Sequence, residues 1–242
     1  MLGRRAKLPV LAEISGPAEG VRAWSLRRQD FASLAGALPR LDGRRVVLVT
    51  GAGEVATVAG AAAPAAGEAA AVVAIALAAA ALSAGRRTVL VECDLAHPRL
   101  AAQVGLAAAP GLHEYLRWEA EPQEVIQPVV LGGPAAAAAT EPLVCVGGGR
   151  PATKAETLLG LQSFAHMVGK LRAAYELVIL AGASAAEEPG PCAAAARQAD
   201  AVVAALPAEL ATGRGGRAAR AAINRLPAPA LGAIAVGAQR SR

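Results

Sequence analysis

Glu92 and Asp94 stand two residues apart, just after the aliphatic run Val89–Leu90–Val91. At the carboxyl edge of a parallel sheet, such a pair can hold Mg²⁺ or activate a water. Asp94 could instead cap a helix that starts near His97–Pro98. Upstream, Val46–Thr50 runs into Gly51–Ala52–Gly53, and after an Ala-rich stretch comes Gly67–Glu68–Ala69–Ala70–Ala71–Val72. Strand, glycine-rich turn and helix in that order make a phosphate cradle. Backbone N–H groups and the helix N-terminus meet the phosphates, a Lys neutralises their charge, and a Ser or Thr hydroxyl holds Mg²⁺. The order is present here, but the side chains are not. No Lys lies between Lys7 and Lys154, and Arg86 and Arg87 fall at the far end of the helix.

The missing Lys can be weighed. Two unit charges about 4 Å apart at an effective dielectric near 20 interact by roughly 4 kcal/mol. Replacing Lys by Ala at a phosphate therefore weakens binding by about a thousandfold. A third strand, Leu177–Leu180, runs into Ala181–Gly182–Ala183–Ser184. A phosphoryl-transfer site carries a metal-associated Asp at such a strand end, and Ala181 cannot serve. Glu187 and Glu188 read as solvated loop charges. An alternative cradle at Gly51–Ala52–Gly53–Glu54, with Thr57 as the hydroxyl, also lacks the Lys.

These groups must be positioned by a sheet. Continuous aliphatic runs at Val46–Thr50, Thr88–Cys93, Leu143–Val146, Leu177–Leu180, Ala201–Leu206 and Leu231–Val236 predict strands buried on both faces. Helical stretches alternate with them at Ala69–Ala84, Ala155–Ala174, Pro191–Ala199 and Thr212–Arg225. Strand and helix in alternation predict a doubly wound, mostly parallel α/β sheet. Glu54–Ala66 is an Ala-rich insert and Gly132–Thr140 a loop. Residues 1–43 read as a leader that docks on a single domain, residues 44–242. Within the leader, Trp24, Leu26, Phe31, Leu34 and Leu38 form a packing stripe.

Composition narrows the function. The 242-residue chain carries a net charge of +5 and only two each of Phe, Trp and Tyr, so its core rests on Val, Leu, Ile and Ala. Its Arg residues are scattered, with no basic run interleaved with aromatics, which argues against nucleic-acid binding. Cys93, Cys145 and Cys192 show no metal spacing and read as buried, reduced thiols. His97, His113 and His166 read as isolated. The apolar stretch Ala69–Gly85 is long enough for a short membrane span, but its Ala content and the strand that follows mark a buried helix.

Taken together, these residues resemble the cytoplasmic domain of bacterial tyrosine kinases that control capsular and exopolysaccharide synthesis, within the MinD/ParA-like P-loop group. Leu8–Pro9–Val10–Leu11–Ala12–Glu13–Ile14 resembles the segment preceding that domain. Gly67–Glu68 is similar to the start of the family's Gly-Glu-Gly-Lys-Ser/Thr-Thr loop, with Ala69, Ala70 and Ala71 at the Gly, Lys and Ser/Thr places. Glu92–Leu100 resembles its Asp-x-Asp-Leu-x-x-Pro-x-Leu segment. Gly111–Leu116, Glu124–Pro128, Tyr175–Leu180 and Asp200–Leu206 resemble later stretches. The second Asp is Ala181, and no Tyr follows Tyr175.

The resemblance implies a P-loop NTPase-like fold and a role in polysaccharide synthesis. The changed residues imply a pseudo-kinase acting through protein contacts, with an active tyrosine kinase or ATPase, or a MinD/ParA-like positioning ATPase, as alternatives. The site residues implied are Asp94 as catalytic group, Glu92 and Asp94 for metal, and Gly67, Glu68, Ala69, Ala70, Ala71 and Val72 for the phosphates. ATP or ADP with Mg²⁺ is the implied cofactor, weakened or lost. A polysaccharide co-polymerase in the membrane, or an active kinase homologue, is the implied partner. Homo-oligomerisation and a cytoplasmic place at the inner face of the plasma membrane complete the expectation.

Overall fold

A computed structural model describes residues 8–15, 28–52, 66–130, 141–210 and 213–237. Trp24, Leu26, the alternative cradle from Gly53 to Thr57, nearly all of the Glu54–Ala66 insert and the Gly132–Thr140 loop lie outside the described residues.

Eight strands form one sheet: β1 (Val10–Ser15), β2 (Val46–Gly51), β3 (Thr88–Glu92), β4 (Ile126–Val129), β5 (Leu143–Val146), β6 (Leu177–Ser184), β7 (Ala201–Pro207) and β8 (Ala230–Gly237). Their order is β1-β8-β7-β2-β6-β3-β5-β4. Every pairing is parallel except that of the edge strand β4 with β5. The continuous aliphatic runs follow from burial on both faces. Val47, Val49 and Leu90 point into one core layer, and Val46, Leu48, Val89 and Val91 into the other. The fold is the doubly wound, mostly parallel α/β sheet that the alternation predicts.

The first layer is built by α1 (Arg28–Ala37) and α2 (Ala66–Ser83). Helix α2 is apolar all round because it is covered all round, by the sheet on one side and by α1 on the other. It is the one described helix long and apolar enough to cross a membrane, yet 83% of that span is buried inside the fold. Its alanines let helix and sheet backbones approach closely. Leu34 and Leu38 are buried against it, with Phe31 partly so.

Short helices follow β3: α3 (Leu100–Val104), α4 (Leu112–Leu116) and α5 (Pro122–Val125). The predicted helix Ala155–Ala174 is two helices, α6 (Ala155–Leu159) and α7 (Gln162–Ala174). Leu161, at ψ 150°, is extended and breaks the helical path between them. The second layer is completed by α8 (Pro189–Ala196) and α9 (Gly213–Ile223).

Two strands carry little sequence signal. Strand β1 sits at the sheet edge, with Val10 and Glu13 exposed and Ala12 and Ile14 buried. Strand β4 is only four residues long and contains Pro128, which an edge strand tolerates.

Candidate functional site

The carboxyl ends of β2, β6 and β3, adjacent in the sheet, meet the start of α2. Thr50, fully buried at the end of β2, donates its hydroxyl to the Ala183 carbonyl at 2.6 Å. The Ala185 N–H donates to Gly51 O at 2.7 Å, and the Cys93 N–H to Ala181 O at 2.7 Å. These bonds lock the three strand ends together. Gly51 is required by close approach, since a side chain there would run into the carbonyl of Ala66 in the first turn of α2.

The six residues expected to form the phosphate loop lie within α2. Gly67 and Glu68 belong to its first turn and are partly exposed, while Ala69, Ala70, Ala71 and Val72 are buried. Ala70, expected at the place of the Lys, is 0% exposed. The helix begins three residues earlier than the sequence pattern predicts. Ala181 lies inside β6, which runs on to Ser184, so the true strand end is formed by Ser184 and the turn to Glu188.

Asp94 and the start of α2 are brought together. A methyl group on Gly67 would stand 3.2 Å from Asp94 Oδ2 and 3.9 Å from Arg99 Nε and Nη2. Asp94 is buried, and its Oδ1 accepts the His97 N–H at 3.0 Å. It therefore closes a tight turn rather than capping a helix. Burial raises the Asp94 pKa, and the nearby Glu188 carboxylate adds to that, against the pull of the His97 N–H.

Glu92 behaves differently. It is 2% exposed, and both of its oxygens are engaged. Oε1 accepts the N–H groups of Arg99 and of Leu100, the latter at 2.7 Å, and Oε2 accepts that of Gly148 at 2.8 Å. Glu92 therefore supplies the N-terminal cap of α3 and ties it to the strand-end turn after β5. With both oxygens spent on backbone donors, the acidic pair divides into a structural strut, Glu92, and a group facing α2, Asp94.

A second acidic strut stands beside this one. Glu114, 3% exposed, accepts N–H groups from Gly111 at 2.8 Å and Arg150 at 3.1 Å, and the Arg150 side chain at 2.9 Å. Burial works to raise its pKa, but these donors outweigh it and hold the carboxyl below its usual range.

Two residues whose role the sequence conceals come to Asp94 from the chain. His97 Nδ1 lies 3.9 Å from Asp94 Oδ1 and 3.3 Å from Glu188 Oε1. Glu188, 94 positions beyond Asp94 in sequence, reaches it because β6 carries the turn after Ser184 to the edge where β3 ends. His113 points elsewhere, bonding the Arg150 carbonyl at 2.7 Å, and His166 is exposed.

The three cysteines are buried and free. Burial pushes the thiols of Cys145 and Cys192 up to about 12 and that of Cys93 well above its ordinary value. None is a nucleophile at neutral pH.

The donor set fits a divalent cation, since two carboxylates and an imidazole converge. At the start of α2, Ala69, Ala70 and Ala71 carry neither a cation nor a hydroxyl, and the Arg99 guanidinium lies beside Gly67. The Thr50 hydroxyl is already bonded to Ala183.

No protein-family model and no curated protein sequence matches the chain. Solved structures do. The chimeric protein CapA2B2 is 18% identical at a TM-score of 0.76, over 97% of this chain and 96% of that one. The kinase domain of the Escherichia coli tyrosine kinase ETK is 17% identical at a TM-score of 0.75, over 97% and 92%. The cell division ATPase MinD of Pyrococcus furiosus is 13% identical at a TM-score of 0.54, over 79% and 71%. At these identities the likeness establishes a P-loop NTPase fold shared with bacterial tyrosine kinase domains and MinD.

Proposed function

We propose that this chain is a pseudo-kinase of capsular or exopolysaccharide synthesis, which keeps the tyrosine kinase scaffold as a protein-binding surface. Its partner is a polysaccharide co-polymerase in the membrane or an active kinase homologue, met at the cytoplasmic face. The observation that carries the reading is Ala70. The resemblance in sequence assigns it to the place of the phosphate-gripping Lys, and it is 0% exposed within α2. The loss of that charge alone costs about a thousandfold in phosphate affinity. The near-complete overlap with the kinase domain of the tyrosine kinase ETK supports the choice of scaffold.

One observation favours a second reading, in which nucleotide still binds. The Arg99 guanidinium lies near Gly67 at the start of α2, and its buried Nε has no hydrogen-bond partner among the described residues. Arg99 could take over the charge of the absent Lys.

Calorimetric titration with ATP and ADP, with and without Mg²⁺, separates the two. The pseudo-kinase reading expects no binding at millimolar nucleotide. Micromolar, Mg²⁺-dependent binding overturns it, and loss of that binding in Arg99→Ala would assign the cation.

A further inference from the structure

We propose that Asp94, His97 and Glu188 form a site for a transition-metal ion of the Zn²⁺ class, one that fills without nucleotide. The three residues offer one ligand atom each, all within 4.8 Å of one another. Ligands about 2.1 Å from a common ion can be at most about 4.2 Å apart, and lie near 3.4 Å in a tetrahedron. The His97 Nδ1 distances of 3.3 Å to Glu188 Oε1 and 3.9 Å to Asp94 Oδ1 fall within that limit. The Asp94–Glu188 pair, within 4.8 Å, closes on an ion by side-chain rotation.

Burial grades the site from a fixed floor to an open mouth. The Asp94 side chain is 9% exposed, that of Glu188 28% and that of His97 63%. Asp94 is held at the floor by its bond to the His97 N–H, so its orientation is set before any ion arrives. Among the described residues no donor reaches its Oδ2. His97 and Glu188 close over it from the solvent side, leaving room for water to complete the coordination. Glu92 is not a ligand, because its oxygens are held by backbone N–H groups. The cysteines, buried as thiols, are not ligands either.

The donor types select the metal. Mg²⁺ takes oxygen ligands and keeps several waters. An imidazole nitrogen beside two carboxylates favours Zn²⁺ or a neighbouring first-row ion instead. Without a cation the two carboxylates repel each other across a poorly hydrated floor, which an ion relieves. The site needs no phosphate and no Lys, so it stands whether or not nucleotide binds.

The test uses the full chain, stripped with chelator and titrated with Zn²⁺ and separately with Mg²⁺ by calorimetry, in the absence of nucleotide. The expected result is one Zn²⁺ bound at micromolar concentration, with Mg²⁺ far weaker. Outer-shell losses alone cost about 10–100-fold in metal affinity, so removal of a direct ligand should cost about tenfold or more. His97→Ala and Glu188→Gln should each do so. Both side chains lie outside the core, and coincident far-UV spectra and melting curves for the metal-free proteins check that the fold is kept. Co²⁺ substitution should give visible d–d absorption without a thiolate charge-transfer band. Zn²⁺ binding should release protons, because metal ligands bind in their deprotonated form. Absence of Zn²⁺ binding overturns the proposal, as does unchanged affinity in either variant. A thiolate band in the Co²⁺ spectrum overturns it too, since the ion would then sit on cysteine.

Discussion

Glu92 offers a sharp test of how the two acidic residues divide their work. Its carboxylate is 2% exposed and receives three backbone N–H groups, from Arg99, Leu100 and Gly148. Glu92→Ala strands all three buried donors, at about 1–3 kcal/mol each. The gross loss is then roughly 3–9 kcal/mol. Part of it is offset because burial opposes the ionised carboxyl and raises its pKa, the N–H bonds pulling the other way. A net loss of about 3–5 kcal/mol is expected, as when one partner of a buried pair is removed. Glu92→Gln keeps the shape and one accepting oxygen. Its amide nitrogen would face one of the N–H groups, at a cost of about 1–3 kcal/mol. Against a typical domain stability of about 5–15 kcal/mol, both losses are large. Urea unfolding followed by circular dichroism reads them directly, and titration with Zn²⁺ runs alongside. If both variants unfold within about 0.5 kcal/mol of the wild type, the strut is an error, because surface changes alone stay in that range. If Glu92→Gln keeps its stability but loses metal, Glu92 is a ligand.

Two further outcomes follow from the neighbouring turn. The folded pKa of Glu114 is lowered from 4.5, so its contribution to stability is complete above that value and is lost as pH falls below it. Glu114→Gln should therefore destabilise the protein at neutral pH and flatten the acid limb of its stability profile, measured by urea unfolding at a series of pH values; an unchanged acid limb refutes the assignment. Gly149 adopts φ +83°, and a Cβ there would run into the Glu114 carboxylate. Gly149→Ala should cost about 1–3 kcal/mol on the same assay, and a neutral result would mean that the turn relaxes freely.

The interior strands were legible because their physical setting is uniform. Val46–Leu48, Val89–Val91 and Val202–Val203 are buried on both faces, and no other environment demands such unbroken aliphatic runs. The edges were not. Strand β1 mixes exposed and buried positions, and its parallel partner β8 lies more than two hundred residues away, so nothing local marks the pairing. Asp94 could be read as a site residue from its place after a strand. Glu188 and His97 could not, because their value comes from the adjacency of β6 and β3, a property of the sheet order. The sequence shows a Glu in a loop and a His beside a Pro. Only the topology makes them neighbours, and a signal for Glu188 would have required knowing that β6 runs past Ala181 to Ser184.

The same topology explains how the scaffold could survive the changes that the pseudo-kinase reading places at Ala69, Ala70, Ala71 and Ala181. All four are buried, at 0%, 0%, 6% and 3% exposure. A Lys or Asp held at such positions must be desolvated, and its cost is offset only when a phosphate or metal ion is bound. Alanine carries no such cost, and in α2 it has the best intrinsic helix propensity. Removing the gripping residues therefore relieves the empty scaffold of destabilising groups, the usual direction of exchange between activity and stability. The stabilising struts, Glu92 and Glu114, are committed instead to backbone N–H groups. On the pseudo-kinase reading, the acids that hold backbone are distinct from the positions that would have held ligand. Asp94 belongs to neither class. Its carboxylate is buried, faces the start of α2 and gains a single backbone bond, and the proposed cation beside His97 and Glu188 would offset the cost of that burial.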